Sequence, residues 1–174
     1  LTDPYGGFFE TPAMDELARE LKALGILRVQ GDIIGDDSYF DSDGSVKGWT
    51  AQALRSLYGA PNALSINNNV LAVHVRPTKA KQRVAVSLEP RTSLFRIRNL
   101  AKTGSRRARQ TLHVRLIRGT NTIEVTGILP SSKSARKEIL LEKSAEVAAS
   151  MLQDALRKEG IAADGRILAR HAGD

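Results

Sequence analysis

Leu24-Gly25-Ile26-Leu27-Arg28-Val29-Gln30-Gly31-Asp32-Ile33-Ile34-Gly35-Asp36-Asp37 takes the chain out of a helix, across a glycine and into extended structure. Upstream, Thr11-Pro12 reads as a helix start, with Thr at the N-cap and Pro at the first helical position. Met14, Leu17, Ala18, Leu21 and Leu24 then recur on one face at helical spacing. Gly25 closes the helix, because glycine alone enters the left-handed cap conformation without steric cost. Near the other end, Val147, Ala148, Met151, Leu152, Ala155 and Leu156 form a second apolar face. Its exit, Leu156-Arg157-Lys158-Glu159-Gly160-Ile161, matches Leu21-Lys22-Ala23-Leu24-Gly25-Ile26 in form. Two units of helix, glycine, isoleucine and strand at opposite ends predict one α/β layer built from both termini.

The middle of the chain follows a different rule. In Arg83-Val84-Ala85-Val86-Ser87-Leu88, the apolar Val84, Val86 and Leu88 share a face. Phe95 and Ile97 alternate with Arg96 and Arg98, and Leu112, Val114 and Leu116 alternate with His113 and Arg115. Such period-two patterns mark strands with one wet face. Gly119-Thr120-Asn121 is placed to turn the chain into Thr122-Ile123-Glu124-Val125. Ala101-Lys102-Thr103-Gly104-Ser105-Arg106-Arg107-Ala108-Arg109 reads as a basic loop between strands. The expected fold class is therefore α+β or α/β: a mixed sheet with two flanking helices and a nested, small antiparallel β subdomain. Residues 1–69 and 121–174 form the discontinuous α/β part, and residues 70–120 the nested one.

Charge divides the chain in the same places. Residues 70–120 hold thirteen Lys or Arg and one acid, Glu89, for a net +12. The remainder holds thirteen basic and eighteen acidic residues, a net −5. The basic span is expected to meet polyanions through Arg83, Arg96, Arg98, Arg106, Arg107, Arg109 and Arg115. Hydrophobic residues make up 41% of the 174, enough for a core and too many for a disordered chain. No apolar run approaches the ~18 residues of a membrane span. With no cysteine there are no disulfides, thiol nucleophiles or Cys-based metal sites. Leu1 opens directly into Thr2-Asp3-Pro4 without an initiator methionine or a signal peptide, so the chain reads as a segment of something longer.

Three stretches together resemble one family. They are Gly25-Ile26 through Gly31-Asp32-Ile33-Ile34-Gly35-Asp36-Asp37-Ser38-Tyr39-Phe40-Asp41; Gly48-Trp49 with Tyr58-Gly59-Ala60-Pro61 and Ala63-Leu64-Ser65-Ile66-Asn67-Asn68-Asn69; and Val125-Thr126-Gly127-Ile128-Leu129-Pro130 with the helix ending at Gly160-Ile161. In this order they resemble the insert of the class C low-molecular-mass penicillin-binding proteins, the D-alanyl-D-alanine carboxypeptidase/endopeptidase family. The resemblance implies a catalytic domain interrupted by two further domains, one nested in the other, of which this chain is the interruption. It implies a parent that is a serine-type D-Ala-D-Ala carboxypeptidase, a periplasmic or cell-envelope location, and partners comprising the parent's catalytic penicillin-binding domain and peptidoglycan or other anionic envelope polymers. It also implies a substrate-side wall at Trp49 and Tyr58. There the family carries an Asp five residues before the Tyr, where this chain has Ala53 beside Gln52.

All three letter patterns of such an active site occur: Ser134-Ala135-Arg136-Lys137 for S-x-x-K, Ser65-Ile66-Asn67 for S-x-N and Lys102-Thr103-Gly104 for K-T-G. Their order and setting argue against a site. The nucleophile pattern comes last instead of first, next to strand-like Glu138-Ile139-Leu140-Leu141, and Lys102-Thr103-Gly104 opens the basic loop. No catalytic residue is assigned, and the chain itself is expected to be inactive. His74, His113 and His171 are far apart and show no metal spacing. Asp41-Ser42-Asp43-Gly44 fails the calcium-loop register, which would put Tyr39 and Thr50 at ligand positions. No cofactor or metal is expected. A basic nucleic-acid-binding β module is the alternative, but Phe95 is the only aromatic in the basic span and points inward, so base-stacking platforms are missing and no specific nucleic acid is expected. A small-molecule enzyme built on the α/β layer lacks a convergent catalytic set.

Overall fold

The computed structural model describes residues 11–39, 48, 50, 63–171 and 173. The chain divides into two compact units, one of Leu1–Val70 with Leu140–Asp174 and one of Leu71–Ile139.

In the terminal unit, helix α1 (Thr11–Ala23) is followed by strands β1 (Arg28–Val29) and β2 (Ile33–Asp36). Helix α2 (Ser144–Lys158) is followed by β11 (Ala162–Ala163) and β12 (Ile167–Arg170). The two helix exits are built alike. Gly25 and Gly160 both sit at φ 81°. The Ile26 N–H donates to the Leu21 carbonyl at 3.1 Å and the Ile161 N–H to the Leu156 carbonyl at 2.9 Å. These bonds satisfy carbonyls that a bare helix end would leave unpaired.

Each exit delivers its isoleucine to the same core. Ile161 and Leu156 are buried with Ala18, Ile33, Ala149, Ala155 and Ala163, and Ile26, Leu21 and Met14 pack against them. β1 pairs in parallel with β11, and β2 with β12, so elements from opposite ends of the sequence lie side by side. Leu17 and Leu24 depart from the expected apolar face. Leu17 is 40% exposed, and Leu24, beyond the last helical residue, is 77% exposed. The buried stripe of α1 is narrow because α1 meets chiefly α2.

In the nested unit, β3 (Val70–Arg76) lies between β10 (Ala135–Leu140) and β4 (Ala85–Glu89). β8 (Thr122–Thr126) lies between β5 (Arg96–Asn99) and β7 (His113–Leu116). β6 (Lys102–Gly104) pairs with β9 (Ile128–Pro130). β3–β4 and β7–β8 are antiparallel, whereas β5–β8 and β6–β9 are parallel. The parallel pairs arise because the β7 excursion returns the chain beside β5 in its original direction. Val73, Val75, Val84, Ile123, Val125 and Leu129 are buried, as their alternation requires.

Two details differ from the sequence expectation. The nested unit runs to Ile139 instead of residue 120, because β8, β9 and β10 each pair with a strand of that unit. Lys102-Thr103-Gly104 is a paired strand, not the start of a loop, and the basic loop begins after it. Thr103 is buried and its hydroxyl accepts the Thr78 N–H at 2.9 Å.

Candidate functional site: a basic sheet face

The strand alternation of the nested unit sends its cations outward. On β5, Arg96 and Arg98 are exposed while Ile97 and Asn99 are partly covered. The same alternation continues past β5, leaving Leu100 and Lys102 exposed and Ala101 and Thr103 buried. Register places Arg98 beside Glu124 of β8, and Glu124 beside Arg115 of β7. Glu124 is only 8% exposed and is held from both sides. Arg115 donates from Nε at 3.1 Å and Nη2 at 2.7 Å to Oε1, and Arg98 Nη1 lies 3.4 Å from Oε2. A carboxylate this covered needs such partners, since an unpaired buried charge is costly. The arrangement fixes two guanidiniums on one sheet face and keeps a net positive charge there.

The remaining predicted cations are distributed as follows. Arg83 is exposed and donates from Nη1 to the Asn99 carbonyl at 2.6 Å. Arg106, Arg107 and Arg109 are exposed in the loop between β6 and β7. Glu124 and Lys102 were missed in the sequence reading. Glu124 lies in an expected strand and Lys102 in an expected loop, and the neighbours of both are set by cross-strand pairing, which local sequence does not reveal. The wall residues Trp49, Gln52, Ala53 and Tyr58 lie outside the described residues, as does Asp41-Ser42-Asp43-Gly44.

The histidines have local partners or none of metal type. His74 Nε2 lies 2.6 Å from Glu89 Oε2 across β3 and β4, and His171 Nδ1 lies 2.7 Å from Asp37 Oδ1. His113 is exposed on β7. Among the described residues no group of three or more His, Cys, Asp or Glu could hold a metal ion.

The profile of the D-Ala-D-Ala carboxypeptidase 3 (S13) family matches residues 4–173. The chain belongs to this family. It is 29% identical over 162 residues to the D-alanyl-D-alanine carboxypeptidase of Actinomadura sp. strain R39, covering 88% of this chain and 30% of that protein. Penicillin-binding protein 4 from Haemophilus influenzae has the same fold over 91% of this chain and 36% of its own, with a TM-score of 0.61 at 23% identity. The same protein in complex with a β-lactam aligns with a TM-score of 0.54 at 18% identity, over 94% of this chain and 34% of its own. The chain thus spans about a third of the length of these relatives.

Within this S13-family chain, the three active-site letter patterns have other local roles. Ser134 immediately precedes β10 and Lys137 lies within it, so the two are not placed one turn apart on a helix. A serine and its activating lysine need to meet on one helix face, one turn apart. Ser65 Oγ donates to Asn69 Oδ1 at 3.0 Å, and Asn67 Nδ2 donates to the Val70 carbonyl at 2.8 Å. Both side chains are committed to a tight turn at Asn67–Asn69. The Thr103 hydroxyl is buried against Thr78.

Proposed function

We propose that this chain is an accessory, non-catalytic insert region of a bacterial serine-type D-Ala-D-Ala carboxypeptidase/endopeptidase acting in peptidoglycan remodelling. Its role is to shape access to the cleft of a catalytic domain elsewhere in the parent protein, within the cell envelope. One observation carries the reading: a family match along almost the whole chain covers only about a third of the relatives' length. The setting of Ser134 and Lys137, just before and within a strand instead of on one helix face, supports it, because the serine and its activating lysine would need to meet one turn apart.

Incubating the chain with a labelled β-lactam tests the reading. No covalent adduct is expected by intact-mass spectrometry, and stoichiometric labelling at Ser134 would overturn it. We further propose that Trp49 and Tyr58 form an apolar wall beside the substrate in the parent. Ala53, with Gln52 beside it, stands where a carboxylate would meet a side-chain ammonium. Ala53→Asp in the full-length protein is then expected to raise kcat/KM for peptides with a free side-chain amine relative to acylated ones. An unchanged ratio removes the wall from the account.

A further inference from the structure

We propose that the outer face of the nested unit's β5–β8–β7 sheet, continued by Lys102 of β6, binds an extended phosphodiester polymer along Arg96, Arg98 and Lys102, with Arg115 beside them. The proposal identifies the anionic partner of the accessory region described above and rests on that reading for its cellular setting only.

Four observations carry it. First, the nested unit holds sixteen Lys or Arg against three acids, Glu89, Glu124 and Glu138, a net +13, while the terminal unit is at −6. Second, the cations are ordered in a line. Alternate residues of a strand are about 6.6–6.8 Å apart, and backbone bonds from Leu100 N–H to the Val125 carbonyl and from Lys102 N–H to the Gly127 carbonyl carry the chain from β5 to β6, so the exposed Arg96, Arg98 and Lys102 span at most about 20 Å. Third, Glu124 holds Arg98 and Arg115 in place, so part of the cost of ordering two long side chains is met before a ligand arrives. Their side chains remain 60% and 72% exposed and keep donors for phosphate oxygens.

The fourth observation selects the ligand. Glu124, the acid on this face, is already shared by two arginines. A zwitterionic peptide would bring ammonium groups that find no free carboxylate there. A chain bearing only anions, one per repeat, meets no such penalty. Single-stranded nucleic acid is also a phosphodiester, but Phe95, the unit's only Phe, Tyr or Trp, is buried, so the face offers His113 and the arginines and no large aromatic platform for successive bases. A membrane surface is disfavoured because the large apolar side chains offered on this face, Leu100 and Ile128, are only 40% and 41% exposed.

The test is titration of the 174-residue chain with poly(glycerol phosphate), polyuridylate, poly-glutamate and anionic phospholipid vesicles across a salt series. Poly(glycerol phosphate) is expected to bind at least as tightly as any of the others. The triple variant Arg96→Ala/Arg98→Ala/Lys102→Ala is expected to lose at least tenfold affinity and to flatten the log–log salt slope by about 2, the value for three lost contacts to a single chain. Arg96→Lys/Arg98→Lys keeps the charge and is expected to keep the slope, which separates lost contacts from misfolding. The charge-matched Lys133→Ala/Arg136→Ala/Lys137→Ala variant, altered around β10, is expected to keep most of the affinity. Equal losses in the two triple variants would reduce the effect to net charge and overturn the proposal, as would tighter binding to polyuridylate, poly-glutamate or vesicles. None of these outcomes bears on β-lactam acylation, so the two proposals fail separately.

Discussion

Gly25 and Gly35 are required for different reasons, and the difference can be measured. At Gly25, φ is 81° and a Cβ would meet nothing within 4 Å, so only backbone conformation resists a side chain. Gly25→Ala should cost about 1 kcal/mol. At Gly35 a Cβ would lie 2.1 Å from the Ala145 carbonyl oxygen, where β2 crosses the first turn of α2. Gly35→Ala must push a helix away from a strand, and should cost at least about 2 kcal/mol by urea denaturation. Equal costs would mean that the helix yields freely. Asn67, Asn68 and Asn69 pose a third local problem, with φ values of 48°, 53° and 56° in succession. Asparagine tolerates this region better than most residues. Asn68, exposed, should accept Gly with little change and lose about 1 kcal/mol on mutation to Val.

At the scale of elements, ion pairs link strands that are distant in sequence. Glu124 is bridged to β5 and β7 by Arg98 and Arg115. Either arginine alone can hold it, and both are mostly in water, so each single Ala variant should cost well under 1 kcal/mol. The double variant leaves a covered carboxylate without its partners and should cost about 1–2 kcal/mol, more than the sum of the singles. Strict additivity in a thermal or urea double-mutant cycle would contradict the shared-partner geometry.

In the terminal unit, β2 and β12 are joined by Asp32–Arg166 at 2.6 Å and Asp36–Arg170 at 3.1 Å. Hydrogen bonds from the Arg166 side chain and backbone hold the Asp32 carboxyl below the usual carboxylate range. Hydrogen bonds from the Ser38 hydroxyl and backbone do the same for Asp36, with Arg170 adding to them. A lowered folded-state pKa gives stability that is present above the unfolded value, about 3.9, and lost as pH falls through the folded one. The thermal midpoint should therefore fall more steeply below pH 4 in the wild type than in Asp32→Asn/Asp36→Asn. Parallel curves would mean that these pairs contribute no proton linkage.

For the molecule as a whole, the nested unit is entered and left at one place. β3 begins at Val70 and β10 ends at Leu140, and the Leu141 N–H donates to the Asn69 carbonyl at 2.7 Å. Hydrogen-bonded strand neighbours lie about 5 Å apart, so a few glycines can replace residues 71–139. The shortened chain should keep helical circular dichroism and cooperative unfolding, because the α1–α2 core draws on residues outside the deleted span. Its net charge should change from +7 to −6, read as an acidic isoelectric point. Loss of cooperative folding would show that the terminal unit depends on the nested one.

The sequence by itself determined what is local. Gly25-Ile26 and Gly160-Ile161 specified two matching helix exits, because cap hydrogen bonds join residues within one turn. Alternation at Arg96-Ile97-Arg98 and His113-Val114-Arg115-Leu116 specified strands and their wet face, because side-chain direction follows from the backbone alone. Tertiary structure decided what depends on partners. Lys102-Thr103-Gly104 became a strand because Ile128–Pro130 came alongside it, and the nested unit gained β8, β9 and β10 because their hydrogen-bond partners lie earlier in the chain. Leu24 ended in water because the helix stopped one residue before it. Glu124 became the clamp between Arg98 and Arg115 only when register set three strands side by side, a choice made by burial of the opposite sheet face and not by the charges themselves.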